Sequence, residues 1–364
     1  MSKELGFVLD QMSREKGISK TTLVSAIESG ILTAAKRRYN GKENIGLKIN
    51  PKTGSMELFE IKLIVKEVSD KETEISYNDI KDKYPDYEIG DTINLPIQIK
   101  DFGRIAAQTA RQVIFQKLKD AERSIIYDEF KEKIGQIVSG KVLRKEKNIY
   151  YISIGKTEAI LAQNDTLPGE TLRRDDIIKA ILLDVKQTSK GPAIMLSRTS
   201  TDFVSGLFKM EVPEIQDGIV VIKGVAREPG ERTKIAVYSN EQSIDAVGAC
   251  VGMKGTRVQA IVRELKGERI DIIPWSEDSR NFIAMALTPA KIDRVGANEE
   301  EKTAMVIASD DQLSLAIGKK GQNIKLAKKL TGWEIDVISE TEYSSIKMEE
   351  ADKKFNEVFK KTNK

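Results

Sequence analysis

The pattern of hydrophobic and polar positions repeats itself in the second half of the chain. Two short stretches, 251–255 and 317–321, each consist of an apolar residue followed by Gly-x-x-Gly. Apolar residues at helical spacing lie before and after both stretches, and an apolar strand follows each second helix, at 269–273 and 333–338. Short helices are predicted at 203–210 and 282–287, and the strand pairs that follow them at 219–225 with 233–238 and 292–295 with 303–308. The pattern predicts two repeats of helix, strand, strand, helix, glycine loop, helix and strand.

Short polar motifs predict the limits of the helices beside each glycine loop. Ser239 and Ser309 each stand three residues before a Gln, a capping-box pattern that would mark the start of the first helix. Gly267 and Gly332 stand where a C-cap would end the second helix. Because only about seventy residues separate the repeats and no flexible linker intervenes, we expect the two units to pack as one rigid body with a continuous track of loops.

The residues of these loops favour binding of a nucleic-acid backbone. Glycine has no Cβ atom, so a phosphodiester can approach closely, and the next helix directs its free N–H groups and positive dipole end to the same place. The order of elements and the loop resemble the type II KH domain, whose GxxG loop clamps single-stranded nucleic acid. The candidate RNA-binding residues here are Gly252, Met253, Lys254, Gly255, Arg257, Gly318, Lys319, Lys320, Gly321, Asn323 and Lys325.

The glycine loops admit two other interpretations. A single Gly-x-x-Gly is equally compatible with a tight turn between helices whose lysines are merely solvated, but two copies with matching flanks favour the nucleic-acid interpretation. A mononucleotide P-loop is disfavoured, because Met253 stands where that motif requires a second glycine after Gly248, and the preceding segment is helical.

Residues 133–199 have the pattern of a small β-barrel. Five strand candidates lie at 138–142, 149–154, 158–161, 177–185 and 193–196, which predicts a five-stranded OB fold. Tyr150 and Tyr151 are adjacent in the second strand, so their side chains should face opposite ways. Either one tyrosine stacks on a base while the other packs inside, or both are structural. Lys141 is a further RNA-binding candidate, and Arg198 would place a cation near the surface at the end of the barrel.

Residues 1–132 predict an α/β domain with no catalytic constellation, which we interpret as a docking module. Helices are expected at about 5–17, 19–38, 77–83 and 102–131, and strands at 45–49, 56–65 and 92–98. The second helix has Leu23, Ile27, Ile31 and Ala34 on one face. The charged segment 343–364 is either a terminal helix or disordered. The expected fold class is therefore multidomain α+β.

Composition limits the chemistry that the chain can perform. The 364 residues are 40% hydrophobic and 32% charged, as in a soluble protein, and the length allows two to four domains. Because the net charge is only +3, any RNA-binding surface must arise from local clustering of Lys and Arg. The chain has no His, which excludes Ser–His catalysis and ordinary zinc sites, although carboxylate-held magnesium is not excluded by composition. The single cysteine, Cys250, is interpreted as a core residue and fits a reducing cytoplasm. No membrane-spanning run or signal peptide is found. We expect no catalytic residue, no cofactor and no metal site.

Longer motifs make the resemblance more specific. They are Asp-Phe-Gly-Arg-Ile-Ala-Ala-Gln-Thr-Ala-Arg at 101–111, Arg-Glu-Pro-Gly-Glu-Arg-Thr-Lys-Ile-Ala-Val at 227–237, Asp-Ala-Val-Gly-Ala-Cys-Val-Gly-Met-Lys-Gly at 245–255, Ile-Pro-Trp-Ser-Glu at 273–277 and Leu-Thr-Pro-Ala-Lys at 287–291. With the order of domains, they make residues 1 to about 340 resemble the NusA family of bacterial transcription elongation and termination factors.

The resemblance implies a non-enzymatic, monomeric transcription factor that modulates pausing, intrinsic termination and antitermination. Residues 1–132 would bind RNA polymerase on the β-subunit flap near the RNA exit channel, and other elongation and antitermination factors would join. An S-one-type barrel (133–199) and two KH domains (200–277 and 278–342) would hold nascent single-stranded RNA. The implied contacts with polymerase or emerging RNA are Lys36, Arg37, Arg38, Arg104 and Arg111. Alternatively, the first three complement a helix dipole and the last two belong to a solvated helix face.

Two features of the chain depart from the typical pattern of the family. Residues 148–152, Asn-Ile-Tyr-Tyr-Ile, replace the aromatic-rich strand of typical S-one domains, so the KH loops carry more of the RNA-binding prediction than the barrel. A short Lys-rich tail stands where some family members have acidic repeats, and we expect no function that depends on those repeats.

Two rival functions are compatible with the same modules. One rival is a magnesium-dependent RNA-processing enzyme, because S-one and KH modules also accompany exoribonuclease cores. The other is a ribosome-associated RNA-binding protein without polymerase contact.

Overall fold

The structure is a computed structural model that describes residues 7, 9–14, 19–38, 42–51, 53–97 and 102–347. The chain divides into two compact units. The first comprises Met1–Asp128 with Ser189–Pro192, and the second comprises Glu129–Thr188 with Ala193–Lys364.

The first unit combines helices with a small mixed sheet. Residues 9–14 are helical, followed by α1 (Lys20–Arg38), β1 (Ile45–Ile49), β2 (Met56–Val65), β3 (Glu74–Ser76), the one-turn α2 (Tyr77–Ile80), β4 (Thr92–Pro96) and the long α3 (Phe102–Lys131). Strand β2 is central, antiparallel to β1 and β4 and parallel to β3. Leu23, Ile27 and Ile31 of α1 are fully buried in a core that includes Ala106 and Ala110 of α3. The predicted elements are confirmed within the described residues, although α2 and β4 end earlier than expected. Ala35, rather than Ala34, completes the buried stripe of α1.

Five strands close into a barrel, as predicted. They are β5 (Ile137–Glu146), β6 (Ile149–Ile154), β7 (Thr157–Ala162), β8 (Ile177–Thr188) and β9 (Gly191–Ser197), in the spatial order β5-β6-β7-β9-β8. Gly140 allows β5 to approach β6, because a Cβ atom there would lie 2.5 Å from Ile152 Cγ2. This closed five-stranded order confirms the barrel.

Two repeats of the predicted KH order follow the barrel. The first contains α4 (Thr201–Glu211), α5 (Pro213–Gln216), β10 (Val220–Glu228), β11 (Arg232–Ser239), α6 (Ala246–Val251), α7 (Thr256–Glu264) and β12 (Arg269–Pro274). The second contains α8 (Ser279–Ala286), β13 (Arg294–Asn298), β14 (Thr303–Ala308), α9 (Asp310–Ile317), α10 (Gln322–Thr331) and β15 (Glu334–Ser339). In both sheets the middle strand is antiparallel to the first and parallel to the third. Residues 340–347 are helical.

The core of the first KH domain lies between its helices and one face of its sheet. Ile235 and Val237 of β11 pack there with Phe203, Cys250 and Ile261. Burial raises the pKa of the Cys250 thiol to about 12, because the thiolate would lose its hydration. The prediction that Cys250 is a core residue is confirmed.

The predicted helix limits are only partly correct. Helix α6 is capped by Asp245, whose Oδ1 accepts a hydrogen bond from the Val247 N–H at 3.0 Å, so the start predicted at Ser239 is wrong. Ser239 instead bonds within a turn to the backbone of Glu241. Ser309 does precede α9, but its side chain makes no capping bond to the backbone. The capping-box motif is short and local, so it cannot distinguish a helix cap from a turn.

The predicted C-caps also differ between the two repeats. Gly332 is the C-cap of α10, with φ +74° in the left-handed region, as expected. Helix α7 ends at Glu264 with Leu265 as its cap, so Gly267 lies beyond the helix. The chain between them already leaves helical geometry at Lys266, where φ is +56°.

Arg198 is buried, which corrects the prediction of a surface cation. Its side chain is 1% exposed, and its guanidinium donates to both carboxylate oxygens of Glu170 at 3.0 Å. It also donates to the Glu264 carboxylate at 2.8 Å and to two backbone carbonyls. A buried cation is tolerated only when it is paired and hydrogen-bonded. This cluster joins the end of the barrel to α7 of the first KH domain.

The second KH domain packs on the face of the first KH sheet that its own helices leave uncovered. Phe282 of α8 and Leu330 of α10 pack there with Ala236 and Ile273. The buried Lys234 ammonium donates to Asp271 at 3.0 Å and to the backbone carbonyl of Thr288 at 2.6 Å. The two repeats therefore pack directly on one another, through apolar side chains and a buried charge.

Candidate nucleic-acid interface

The two Gly-x-x-Gly loops have the same backbone conformation. The first glycines, Gly252 and Gly318, have φ of +73° and +76° with ψ of 173° and 169°. The last glycines, Gly255 and Gly321, are left-handed, with φ of +77° and +71°. The preceding lysine of each loop is also left-handed, with φ of +51° at 254 and +55° at 320. The sequence repeat is therefore a repeat of conformation.

The two glycines of each loop are needed for different reasons. A Cβ atom on Gly252 would lie 2.7 Å from Arg257 Cγ, and one on Gly318 would lie 2.7 Å from Asn323 Cβ and 2.8 Å from its backbone nitrogen. The first glycine is thus required by packing against the following helix. A Cβ on Gly321 would meet nothing within 4 Å, so that position requires glycine for its positive φ and leaves open space for a ligand.

This difference predicts unequal effects of alanine in the second loop. Gly318→Ala is expected to cost about 2 kcal/mol, because backbone must move in addition to the strain of a positive φ. Gly321→Ala is expected to cost about 1 kcal/mol from the left-handed conformation alone. Urea denaturation of both variants beside the unmodified chain measures this. Equal losses at the two positions would contradict the packing argument.

Arg257 and Asn323 occupy equivalent positions, five residues after each first glycine, and both hold the preceding helix. Arg257 donates to the Ala249 carbonyl at 2.6 Å and to Glu214 at 2.9 Å. Asn323 is 1% exposed, and its amide donates to the carbonyls of Leu287, Leu315 and Ala316. Burial of the Asn323 side chain argues against its direct contact with RNA, so we assign it to positioning the loop. The sequence does not show whether the side chain of a polar residue beside a loop is buried or exposed.

The remaining cations of the loops are available to a ligand. Lys254, Lys319 and Lys320 are exposed, and within the described part of the chain none of them has an ion-pair partner. Met253 is 87% exposed at the tip of the first loop. The first loop therefore presents one unpaired ammonium group, and the second presents two, beside the N-terminus of a helix, where a phosphate is favoured.

The second loop borders a cavity of about 540 Å³ at its junction with the first KH domain. Lys325 forms an ion pair of 2.6 Å with Glu228 of β10, which lowers the pKa of the Glu228 carboxyl. The Gln322 amide donates to both Glu228 and Glu231. The second loop and the end of the β10–β11 hairpin therefore form one polar surface. The carboxylates of this surface were missed by sequence reasoning, because only the packing of the two repeats brings them to the loop.

The barrel candidates have the predicted opposite orientations. Tyr150 is 4% exposed, whereas Tyr151 is partly exposed. The guanidinium of Arg144 lies 4.0 Å from the centroid of the Tyr151 ring and is itself held by Glu158. Lys141 is exposed and paired with Asp175 at 2.7 Å. RNA contact by these three candidate residues remains a prediction.

The basic candidates of the first unit lie on two helices. Lys36 is partly exposed and Arg37 is exposed near the end of α1, whereas the side chain of Arg38 is outside the described part of the structure. Arg104 and Arg111 are exposed and lie seven residues apart, on the same side of α3. Among the described residues, no acidic side chain pairs with these four cations, which leaves them available to an anionic partner.

Among the described residues, no group of three or more His, Cys, Asp or Glu side chains is arranged to hold a metal ion. None of the helices in the same residues has both the length and the apolar character needed to cross a membrane.

Comparison with known proteins places the sequence motifs in context. The family model of the NusA N-terminal domain matches residues 4–124, that of the NusA-like first KH domain 198–275, and that of the NusA-like second KH domain 279–354. The transcription termination/antitermination protein NusA of Halalkalibacterium halodurans is 48% identical over 342 residues, which are 94% of this chain and 90% of that protein. Its counterpart in Bacillus subtilis is 48% identical over 342 residues, covering 94% of this chain and 92% of that protein. The solution structure of the N-terminal domain of NusA from B. subtilis is 43% identical and covers 34% of this chain and 99% of that chain, with a TM-score of 0.31.

Proposed function

Because this chain belongs to the NusA family of transcription termination/antitermination proteins, we propose that it joins RNA polymerase to nascent single-stranded RNA. Residues 1–132 bind the polymerase, and the KH loops hold the RNA. Like its relatives, which are termination/antitermination proteins, the protein is a transcription factor. It is not an enzyme. The RNA-processing enzyme considered above is therefore set aside.

The observation that carries the RNA-binding part is the pair of matching glycine loops. Each loop combines a helix N-terminus with at least one unpaired lysine, and the second loop adds open space at Gly321. These features suit a phosphodiester backbone of any sequence, so affinity is expected to fall steeply with salt. Base edges in the adjacent grooves add modest sequence preference.

The finer parts of the proposal concern where the protein acts. We place the first domain on the β-subunit flap near the RNA exit channel, with Lys36, Arg37, Arg38, Arg104 and Arg111 toward polymerase or emerging RNA. From there a monomer prolongs pauses, promotes intrinsic termination and joins antitermination complexes with other factors in the cytoplasm. The exposed, unpaired arginines of α3 support this assignment.

Two charge-reversal variants of the full chain test the two-part proposal. Arg104→Glu with Arg111→Glu is expected to weaken binding to the transcription complex by roughly tenfold, because like charges replace complementary ones. The same variant should bind free oligoribonucleotide as the unmodified chain does. Co-sedimentation with core polymerase and with elongation complexes, beside fluorescence anisotropy with RNA, measures both properties.

The unmodified chain also decides between the proposal and its remaining rival. If the chain binds RNA but neither core polymerase nor elongation complexes, the ribosome-associated interpretation replaces the transcriptional one. If it binds polymerase and the α3 variant binds equally well, polymerase contact stands but these arginines do not carry it.

A further inference from the structure

A cation–aromatic cluster lies on the first KH sheet, on the face opposite the helices of that domain. Tyr238 is near the end of β11, and Trp275 directly follows β12. The two rings meet edge to face, with centroids 5.5 Å apart and planes at 88°. The ammonium of Lys223 lies 4.7 Å from the centroid of Trp275 and 5.3 Å from that of Tyr238. We define Lys223, Tyr238 and Trp275 as the aromatic platform.

The backbone directs all three side chains of the platform to one place. The pairing of β10 with β11 shifts register between Ile222 and Gly224, so Lys223 is the extra residue of a β-bulge. Bulges re-aim a side chain relative to a regular strand. The backbone N–H of Trp275 donates to the backbone carbonyl of Val237 at 2.8 Å, which keeps the tryptophan in line with the sheet. The platform is thus held by backbone geometry as well as by ring contacts.

The platform is open to solvent and positively charged. Tyr238 is 41% exposed, Trp275 is half-buried and Lys223 is exposed. Within the described part of the chain, Lys223 has no acidic partner at ion-pair distance. Trp275 packs partly on the buried cluster of Ala236, Ile273 and Phe282, whereas Tyr238 leaves its ring exposed beside the unpaired cation. The platform suits a ligand that offers both a π-face and a negative charge.

Helix α10 connects the second glycine loop to the platform. At its start, Gln322 bonds to Glu228 of β10. At its end, Leu330 packs on Gly224, where a Cβ atom would lie 3.3 Å from Leu330 Cδ1. The 10 residues of α10 span about 15 Å, so the helix runs along β10 from the loop to the neighbour of Lys223.

Exposed lysines follow this helix on one side. Lys325 and Lys329 are four residues apart and both are exposed, so they lie on the same face of α10. Lys325 is 60% exposed even while it pairs with Glu228. We call Lys319, Lys320, Lys325 and Lys329 the lysine row. The row begins at the second loop, and Lys223 adjoins Gly224, on which the end of the helix packs.

We propose that single-stranded RNA leaving the second glycine loop follows the lysines of α10 and stacks a base on Tyr238 and Trp275. The lysine row neutralises successive phosphates, Lys223 neutralises the phosphate beside the stacked base, and the rings accept any base. The proposal rests on the RNA-binding function proposed above and extends it to a second face of the first KH domain. An acidic peptide would match the cations, but the row begins at a loop built for a phosphodiester backbone.

The test uses the full chain and two adenine-rich, unstructured oligoribonucleotides. One has about four nucleotides, the length that a GxxG loop clamps, and the other is about three times as long. Tyr238→Ala is expected to weaken binding of the long RNA by about fivefold or more and to leave the short RNA unaffected, because only the long RNA reaches the platform. Tyr238→Phe should restore affinity, since it keeps the ring. Lys223→Ala should lower the slope of log affinity against log salt by about 0.7 for the long RNA.

Two controls separate the platform from the loop and from unfolding. Tyr343→Ala removes a tyrosine that pairs with Lys347 outside the lysine row, and it should bind both RNAs normally. Tryptophan fluorescence provides a measurement without substitution. The other tryptophan, Trp333, is 5% exposed, so quenching by the long RNA and not by the short one reports on Trp275.

The possible results distinguish failure of the platform from failure of the proposed function. If the unmodified chain binds neither RNA, the RNA-binding function itself fails. If it binds both and Tyr238→Ala binds the long RNA equally well, the platform is overturned while the function of the loops stands. If Tyr238→Ala instead weakens retention by polymerase and leaves RNA binding unchanged, the platform is a protein-docking site and the proposal is overturned.

Discussion

Replacing Lys319 and Lys320 together by Asp is expected to weaken binding of single-stranded RNA by on the order of 100-fold at low salt. Both lysines are exposed at the second glycine loop and have no ion-pair partner among the described residues. Reversal of their charges places two carboxylates where the helix N-terminus and open space favour a phosphate. The loop backbone should persist, because Asp tolerates the left-handed conformation at 320.

The measurement is fluorescence anisotropy at several salt concentrations, with a variant of equal net charge as control. Lys209→Asp with Lys266→Asp reverses two exposed lysines of the first KH domain that lie outside both loops. This control should retain most of the affinity, whereas the loop variant should also lose about 0.7 of the salt slope for each lost phosphate contact. An unchanged affinity of the loop variant at low salt would refute the phosphate clamp.

Arg198→Ala is expected to destabilise the second unit by about 3–5 kcal/mol, because it removes one partner from a buried ionic cluster. The side chain of Glu170 is 2% exposed, and its carboxylate would be left without its counterion. The Glu264 carboxylate and two backbone carbonyls would lose donors at the same time. The substitution also removes the only described side chain that bonds to both Glu170 and Glu264.

Urea denaturation followed by tryptophan fluorescence measures this loss. Arg174→Ala removes an exposed arginine of the same barrel and should change stability by less than about 0.5 kcal/mol. The double variant Arg198→Ala with Glu170→Ala should recover part of the loss, because the uncompensated charge is removed. A loss below about 1 kcal/mol for Arg198→Ala would show that water reaches the cluster and would contradict its burial.

The local pattern of the sequence was sufficient where one element buries one face. Strand β14 (Thr303–Ala308) and helix α3 (Phe102–Lys131) have the limits that their apolar spacing predicts. The glycine loops were predictable from another local property, because glycine has no Cβ atom and its spacing is repeated in the chain. Repetition strengthened this inference, since two copies with equal flanks rarely arise from unrelated turns.

The sequence failed where the environment of a side chain depends on a distant segment. Arg198 has the charge of a surface residue, but Glu170 and Glu264 arrive from other parts of the chain to pair with it. Asn323 looks like a ligand-binding neighbour of the second loop, yet three carbonyls from other elements surround its amide. Ser239 is a failure of a different kind, because the backbone of Glu241, only two residues away, satisfies its hydroxyl in a turn.

The sequence by itself therefore determined most of the elements, the tandem repeat and the position of the glycine loops, because backbone periodicity and the spacing of glycines are local properties. The tertiary structure alone decided which charges are buried and which surfaces are continuous. The aromatic platform illustrates this difference. Lys223 and Tyr238 lie on two strands and Trp275 follows a third, and a β-bulge and the packing of Leu330 on Gly224 bring them to the end of the lysine row. Contacts between distant segments leave no periodic signal in the chain, so they become visible only when the segments pack together.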